Sequence, residues 1–230
     1  RGLAALDRSV SEMELRYGLG QVSELTLLNL KNTRSQTASG LDSLRVQIES
    51  LKAQLQAMIG ETPTGTLTLL ALPAVTDDEI GAMDYDTDLA AAKEASLALY
   101  QKNEAAEDAQ EDWKDADAGY QKEMARHTYQ AAVYTYQAAV QSLELDFGTL
   151  YRAVGDKRQV LSAAQDALAY EEKACAAAEK KYELGMISAS ALADAQDALA
   201  AAQDTVTSAE SDLLSAYNAY QWAVRGTIAG

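Results

Sequence analysis

The chain has 230 residues, a formal net charge of -16, two prolines, one phenylalanine and a single cysteine. The acidic balance argues against nucleic acid, whose phosphates need basic side chains, and against adsorption to anionic lipid. One cysteine leaves no intrachain disulfide, and no run of about 18 apolar residues offers a membrane-spanning helix. Scarce proline and abundant alanine favour long helices over sheets.

Residues 2–17 read as the end of a helix, with Leu3, Leu6, Val10, Met13 and Tyr17 on one face. Gly18 and Gly20 break it, because glycine takes the backbone angles of a helix C-cap. Ser23 restarts a helix as N-cap, and Glu24 places a negative charge at its positive end. This second helix is expected to run to about Ile59 and to stop at Gly60. The first helix is short beside its later counterpart, so further N-terminal chain, including an export signal, is expected in the natural protein.

Residues 61–87 differ from the rest. They hold both prolines, Pro63 and Pro73, and a β-like run from Thr66 to Leu72. The expectation there is an irregular connector with one short strand. A third helix follows over about 88–117, weakly packed in its Ala-, Glu- and Asp-rich second half, with a break near 115–119. The fourth helix should cover about 121–183, some 60 residues or roughly 90 Å at 1.5 Å each. Val133, Val140, Phe147, Val154, Leu161, Leu168, Cys175 and Tyr182 recur in it every seven residues. Gly185 ends it and Ser188 opens the fifth.

That last helix carries the clearest pattern. Leu192, Leu199, Val206, Leu213 and Tyr220 alternate with Ala195, Ala202, Ala209, Ala216 and Ala223 at spacings of three and four. A 3.5-residue period predicts left-handed supercoiling, and the alanine side of the seam lets a partner helix come close. Shifted back by 165 positions, Tyr182, Gly185, Ser188 and Leu192 fall on Tyr17, Gly20, Ser23 and Leu27. The seam recurs there as Leu27/Leu30, Arg34/Thr37, Leu41/Leu44, Ile48/Leu51 and Leu55/Met58, with only the Arg34/Thr37 layer departing. This is an internal duplication. The fold expected is all-α: long antiparallel helical hairpins in a coiled-coil bundle, two repeats joined by a short irregular or β connector. Repeat one covers 1–60, the connector 61–87 and repeat two 88–230. Both hairpin tips should lie at one end.

The two tips, Tyr17-Gly-Leu-Gly-Gln-Val-Ser23 and Tyr182-Glu-Leu-Gly-Met-Ile-Ser188, set between heptad helices and separated by a proline-bearing connector, resemble those of the TolC-like outer-membrane efflux proteins. The resemblance implies a homotrimeric α-helical tunnel in the cell envelope, at the outer membrane and periplasm, or at the cell surface in a relative without a barrel. It implies passive export powered by an inner-membrane transporter, and docking of a membrane-fusion adaptor protein on the tips. Gly20, Val22, Ser23, Gly185, Ile187 and Ser188 are the positions carried over for that contact. Family members narrow the tunnel entrance with acids past the second tip. Asp194 stands at one such position, and Ala191 departs at the other. The resemblance also implies β-hairpins that build a barrel, yet no alternating run of the roughly 9–11 residues a membrane strand needs lies between the third and fourth helices.

Catalysis has little support in the residues. His127 is the only histidine and has no second ligand near it. Asp108, Glu111, Asp112, Asp115 and Asp117 form a solvated charge run with neither the pocket of an acid-base pair nor the glycine and spacing of a calcium loop. No phosphate loop or nucleophile elbow occurs. The expectation is a non-enzyme without cofactor or metal. The alternative to an export-channel component is a structural or adhesive coiled-coil surface protein, which would need no matching tips.

Overall fold

The computed structural model describes residues 2–63, 67 and 70–227. Among these residues the chain forms seven helices and no strand: α1 Gly2–Gly18, α2 Glu24–Met58, α3 Asp77–Gly81, α4 Tyr85–Ala95, α5 Leu97–Asp115, α6 Tyr120–Glu183 and α7 Ala189–Val224. The all-α fold of long antiparallel hairpins is thus realised. Of the β-like run, Thr66, Thr68 and Leu69 lie outside the described residues. Leu67, Leu70, Ala71 and Leu72 are irregular. The chain divides into two compact units, one of Arg1–Ala71 with Tyr170–Ala201, the other of Leu72–Ala169 with Ala202–Gly230.

In the first unit α1 lies along α2. The layer that broke the seam has a partner: half-buried Arg34 donates from Nε to Asp7 Oδ1 at 2.8 Å, and Lys31 meets Glu14 at 2.7 Å. A polar layer in an apolar seam fixes register at some cost in stability, and here α1 supplies the acid. α1 has 17 residues and α2 has 35. Leu27 is accordingly buried, whereas the later seam residues Leu41, Leu44, Ile48, Leu51, Leu55 and Met58 are exposed.

The second unit holds an aromatic core. Phe147, Val154 and Tyr220 are its largest fully buried side chains, joined by Leu99, Leu143, Leu213 and Ala223. Phe147 lies 5.7 Å from the Tyr85 ring and 5.5 Å from that of Tyr220. Gly148 faces Tyr85, whose hydroxyl would lie in ordinary contact, 3.4 Å, from a Cβ added there. The Tyr220 hydroxyl donates to Asp88 Oδ2. Burial, and then this bond, push the phenol well above its usual range, so it stays a donor and ties the end of α7 to the start of α4.

Two details of the connector and third helix differ from expectation. Thr76 and Glu79 form a reciprocal cap that starts α3 within the supposed loop. The Thr76 amide, then its hydroxyl, holds the Glu79 carboxyl below its ordinary range. The expected third helix begins earlier, on the N-cap Asp84, and is interrupted at Ser96. Ser96 ends α4 in an extended conformation while its hydroxyl accepts from the Leu99 amide to open α5. Gly226, just past α7, comes so close to Ala95 that an added Cβ would stand 2.2 Å from the Ala95 carbonyl oxygen.

The second half of α5 packs better than its composition suggests. Ala106 and Ala109 are buried, and Trp113 stacks on Tyr129 with centroids 5.6 Å apart and planes 11° from parallel. α5 passes to α6 through Ala116–Gly119 alone. Between Tyr85 and Val224 no link between helices exceeds the five residues from Leu184 to Ser188. This repeat therefore supplies no strand of barrel length.

Candidate docking surface at the hairpin tips

Both tips belong to the first unit, and they are built alike. At the first, the Gly20 amide donates to the Tyr17 carbonyl at 2.9 Å and the Gln21 amide to the Arg16 carbonyl at 2.9 Å. At the second, Gly185 donates to Tyr182 at 2.9 Å and Met186 to Lys181 at 2.8 Å. This pair of bonds is the Schellman motif, which requires a left-handed residue at its centre. Gly20 and Gly185 supply it with φ of 71° and 69°. Three residues on, the next helix is capped. Ser23 Oγ accepts from the Thr26 amide at 3.2 Å, and Ser188 Oγ from the Ala191 amide at 3.1 Å. Val22 and Ile187, each just before a cap, are half-buried. They occupy the outer position of a hydrophobic staple whose inner positions are Leu27 and Leu192.

The spacing Tyr-x-x-Gly-x-x-Ser thus has a physical meaning: helix carbonyl, left-handed pivot, cap. Replacing Ser23 or Ser188 by alanine should each cost about 1 kcal/mol, read as a melting point lower by roughly 2–4 °C in circular dichroism. A double variant should show about the sum, because the two caps share no partner.

The six residues expected to make contact are therefore largely engaged in forming the bends. The side chains the bends thrust outward are others: Leu19 at 73% exposure, Leu184 at 75% and Met186 at 68%, with Gln21 exposed beside them. Sequence reading passed over both leucines. The signal was present, since each copy has leucine directly before its pivot glycine, where a helix end leaves no neighbour to cover it.

Asp194 is exposed, and its Oδ1 lies 3.9 Å from Arg8 Nη2. The same Arg8 nitrogen donates to Asp197 Oδ2 at 2.5 Å. Ala191 uses its backbone amide in the second cap. His127 is exposed. Among the described residues no group of three or more His, Cys, Asp or Glu side chains converges on a metal position, and no helix is long and apolar enough to cross a membrane.

Residues 112–222 match the family model described as Outer membrane efflux protein. The matched segment contains the α5–α6 turn, all of α6 and the second tip. In fold the chain is similar to the crystal structure of the outer membrane protein VceC from the bacterial pathogen Vibrio cholerae, with a TM-score of 0.59 and 16% sequence identity. The likeness covers 99% of this chain and 64% of that one, so the chain spans less than two thirds of the length of that structure. No curated protein matches. The TolC-like resemblance read from the paired tips holds, in sequence over α6 and α7 and in fold along the chain.

Proposed function

We propose, from the efflux-family match and the paired tips, that this chain is a component of an envelope efflux or export channel. In this reading a membrane-fusion adaptor docks on Leu19–Ser23 and Leu184–Ser188, an inner-membrane transporter supplies the energy, and the channel is a homotrimer of the full-length protein. Its place is the outer membrane and periplasm, or the cell surface if no barrel is built. The chain acts by binding and conducting, without catalysis. One observation carries the reading: the same bend is made twice, with matching backbone bonds and pivot angles, and each time it exposes a leucine at the same place. A hairpin needs some bend, but bending alone gives no reason to leave the same apolar residue in water twice. An adhesive or structural coiled coil would need no such match.

The test is co-purification with the cognate adaptor. Replacing Leu19 and Leu184 together by aspartate alters two exposed side chains and should change stability by no more than about 0.5 kcal/mol each. Capture of the adaptor should be lost. The bend-distorting pair Gly185→Trp with Ser188→Asp should lose it as well. Full capture by the double aspartate variant would remove the docking role from the tips.

A further inference from the structure

Arg8 reaches from one hairpin to the other. Its guanidinium leaves α1, in the first hairpin, and binds α7, in the second, with Nη2 at 2.5 Å from Asp197 and 3.9 Å from Asp194. Among the described residues the other ion pairs of α1, Asp7–Arg34, Glu14–Lys31 and Glu12–Arg16, stay within its own hairpin. Arg8 lies twelve residues before Gly20, and Asp197 lies twelve after Gly185. Of these, ten residues lie within α1 and eight within α7, about 15 Å and 12 Å of helix at 1.5 Å per residue, so the bridge stands within three helical turns of both bends. We infer that Arg8 is a positioning residue, a staple that fixes the spacing of the two tips so that a single partner meets both.

The chemistry suits that role. The three side chains are not equally exposed: Arg8 and Asp197 are at 37% and 33%, Asp194 at 74%. The first two are partly withdrawn from solvent, where screening is weaker than at an open surface. Arginine offers several donors in a rigid fork, and acids three apart on a helix share a face. Asp194 and Asp197 are so spaced. The duplication shows the arrangement to be one-sided. The counterparts of Asp194 and Asp197 in the first copy are Asn29 and Asn32, while that of Arg8 in the second is Lys173. An acid pair has been placed on one hairpin only, opposite one arginine.

The inference rests on the two tips serving one partner, and it is tested without that partner. Spin labels on Leu19→Cys and Leu184→Cys, in a Cys175→Ala background that removes the one native thiol, report the tip-to-tip distance by pulsed dipolar spectroscopy. The unsubstituted Arg8 chain should give one narrow distance population. Arg8→Ala should lose it, and so should Asp197→Asn, which removes the charge at nearly constant size. The exchange Arg8→Asp with Asp197→Arg should restore it, a rescue that a merely space-filling role would not give. Helix content by circular dichroism confirms that each variant is folded. A narrow population that survives both single substitutions, or an exchange that restores nothing, overturns the staple and leaves adaptor docking standing. A broad distribution with Arg8 intact overturns the shared surface itself.

Discussion

Phe147→Ala is expected to lower the unfolding free energy by about 3–5 kcal/mol, the usual cost of truncating a buried aromatic ring. In a chain of this size that corresponds to a melting point lower by roughly 10 °C. The ring is fully buried and touches aromatic rings on two other helices, Tyr85 of α4 and Tyr220 of α7. Its removal leaves a cavity at the point where three helices meet, and it strips both neighbours of a tilted ring contact. Tyr220 is also held by Asp88, so it cannot swing into the space without leaving its hydrogen bond. Leu145→Ala on the same helix is the control: Leu145 is 70% exposed and its loss should stay within about 0.5 kcal/mol. Equal effects of the two substitutions in urea titrations would show that the aromatic core is not where the second unit derives its cohesion.

The second large effect is expected at Gly226. It has a φ of 83°, and an added Cβ would meet the Ala95 carbonyl oxygen at 2.2 Å and its carbon at 2.4 Å. These are backbone atoms and cannot rotate aside. Gly226→Ala carries the cost of a left-handed alanine, about 1 kcal/mol, and must also push α4 away from the end of α7. A total of about 3 kcal/mol is expected, in the range reserved for steric conflicts in packed regions. Gly60 provides the comparison. Its φ is 79°, yet nothing lies within 4 Å of the added carbon. Gly60→Ala should therefore show the conformational cost alone. The difference between the two variants, measured by chemical denaturation, isolates the contact between α7 and the α4–α5 break. If they cost the same, that approach is not as tight as the geometry requires.

Much of this architecture could be read from residue spacing, because its determinants are local. The period of seven, the repeat of 165 and the glycine-to-serine interval each express a backbone geometry that needs nothing from the rest of the fold. Helix ends came out within a few residues for the same reason. What escaped reading was set by distant neighbours or hidden by bias. Ser96 is of a type that caps helices, but a serine inside a helical stretch does not by itself announce a break. The break lies where Gly226, more than a hundred residues on, comes up against Ala95, an approach that local spacing does not announce. The exposed later seam of α2 could not be foreseen from its own leucines, since burial depends on which helix lies opposite. Arg34 looked like a defect until Asp7 was found beside it. α3 is the reverse case: its Thr76-x-x-Glu79 cap was visible, but the surrounding prolines drew the whole segment into the connector. At the tips, attention to the residues that build the turn obscured those that the turn presents.

The way the tips are built separates two jobs that proteins often load onto the same side chains. Main-chain bonds, a pivot without a Cβ and one hydroxyl make the reversal, so positions 19, 21, 184 and 186 are free to change identity at little cost to the hairpins. If the tips dock a partner as proposed, its choice is set by exchanging those four letters as a cassette while the helices that carry them stay as they are.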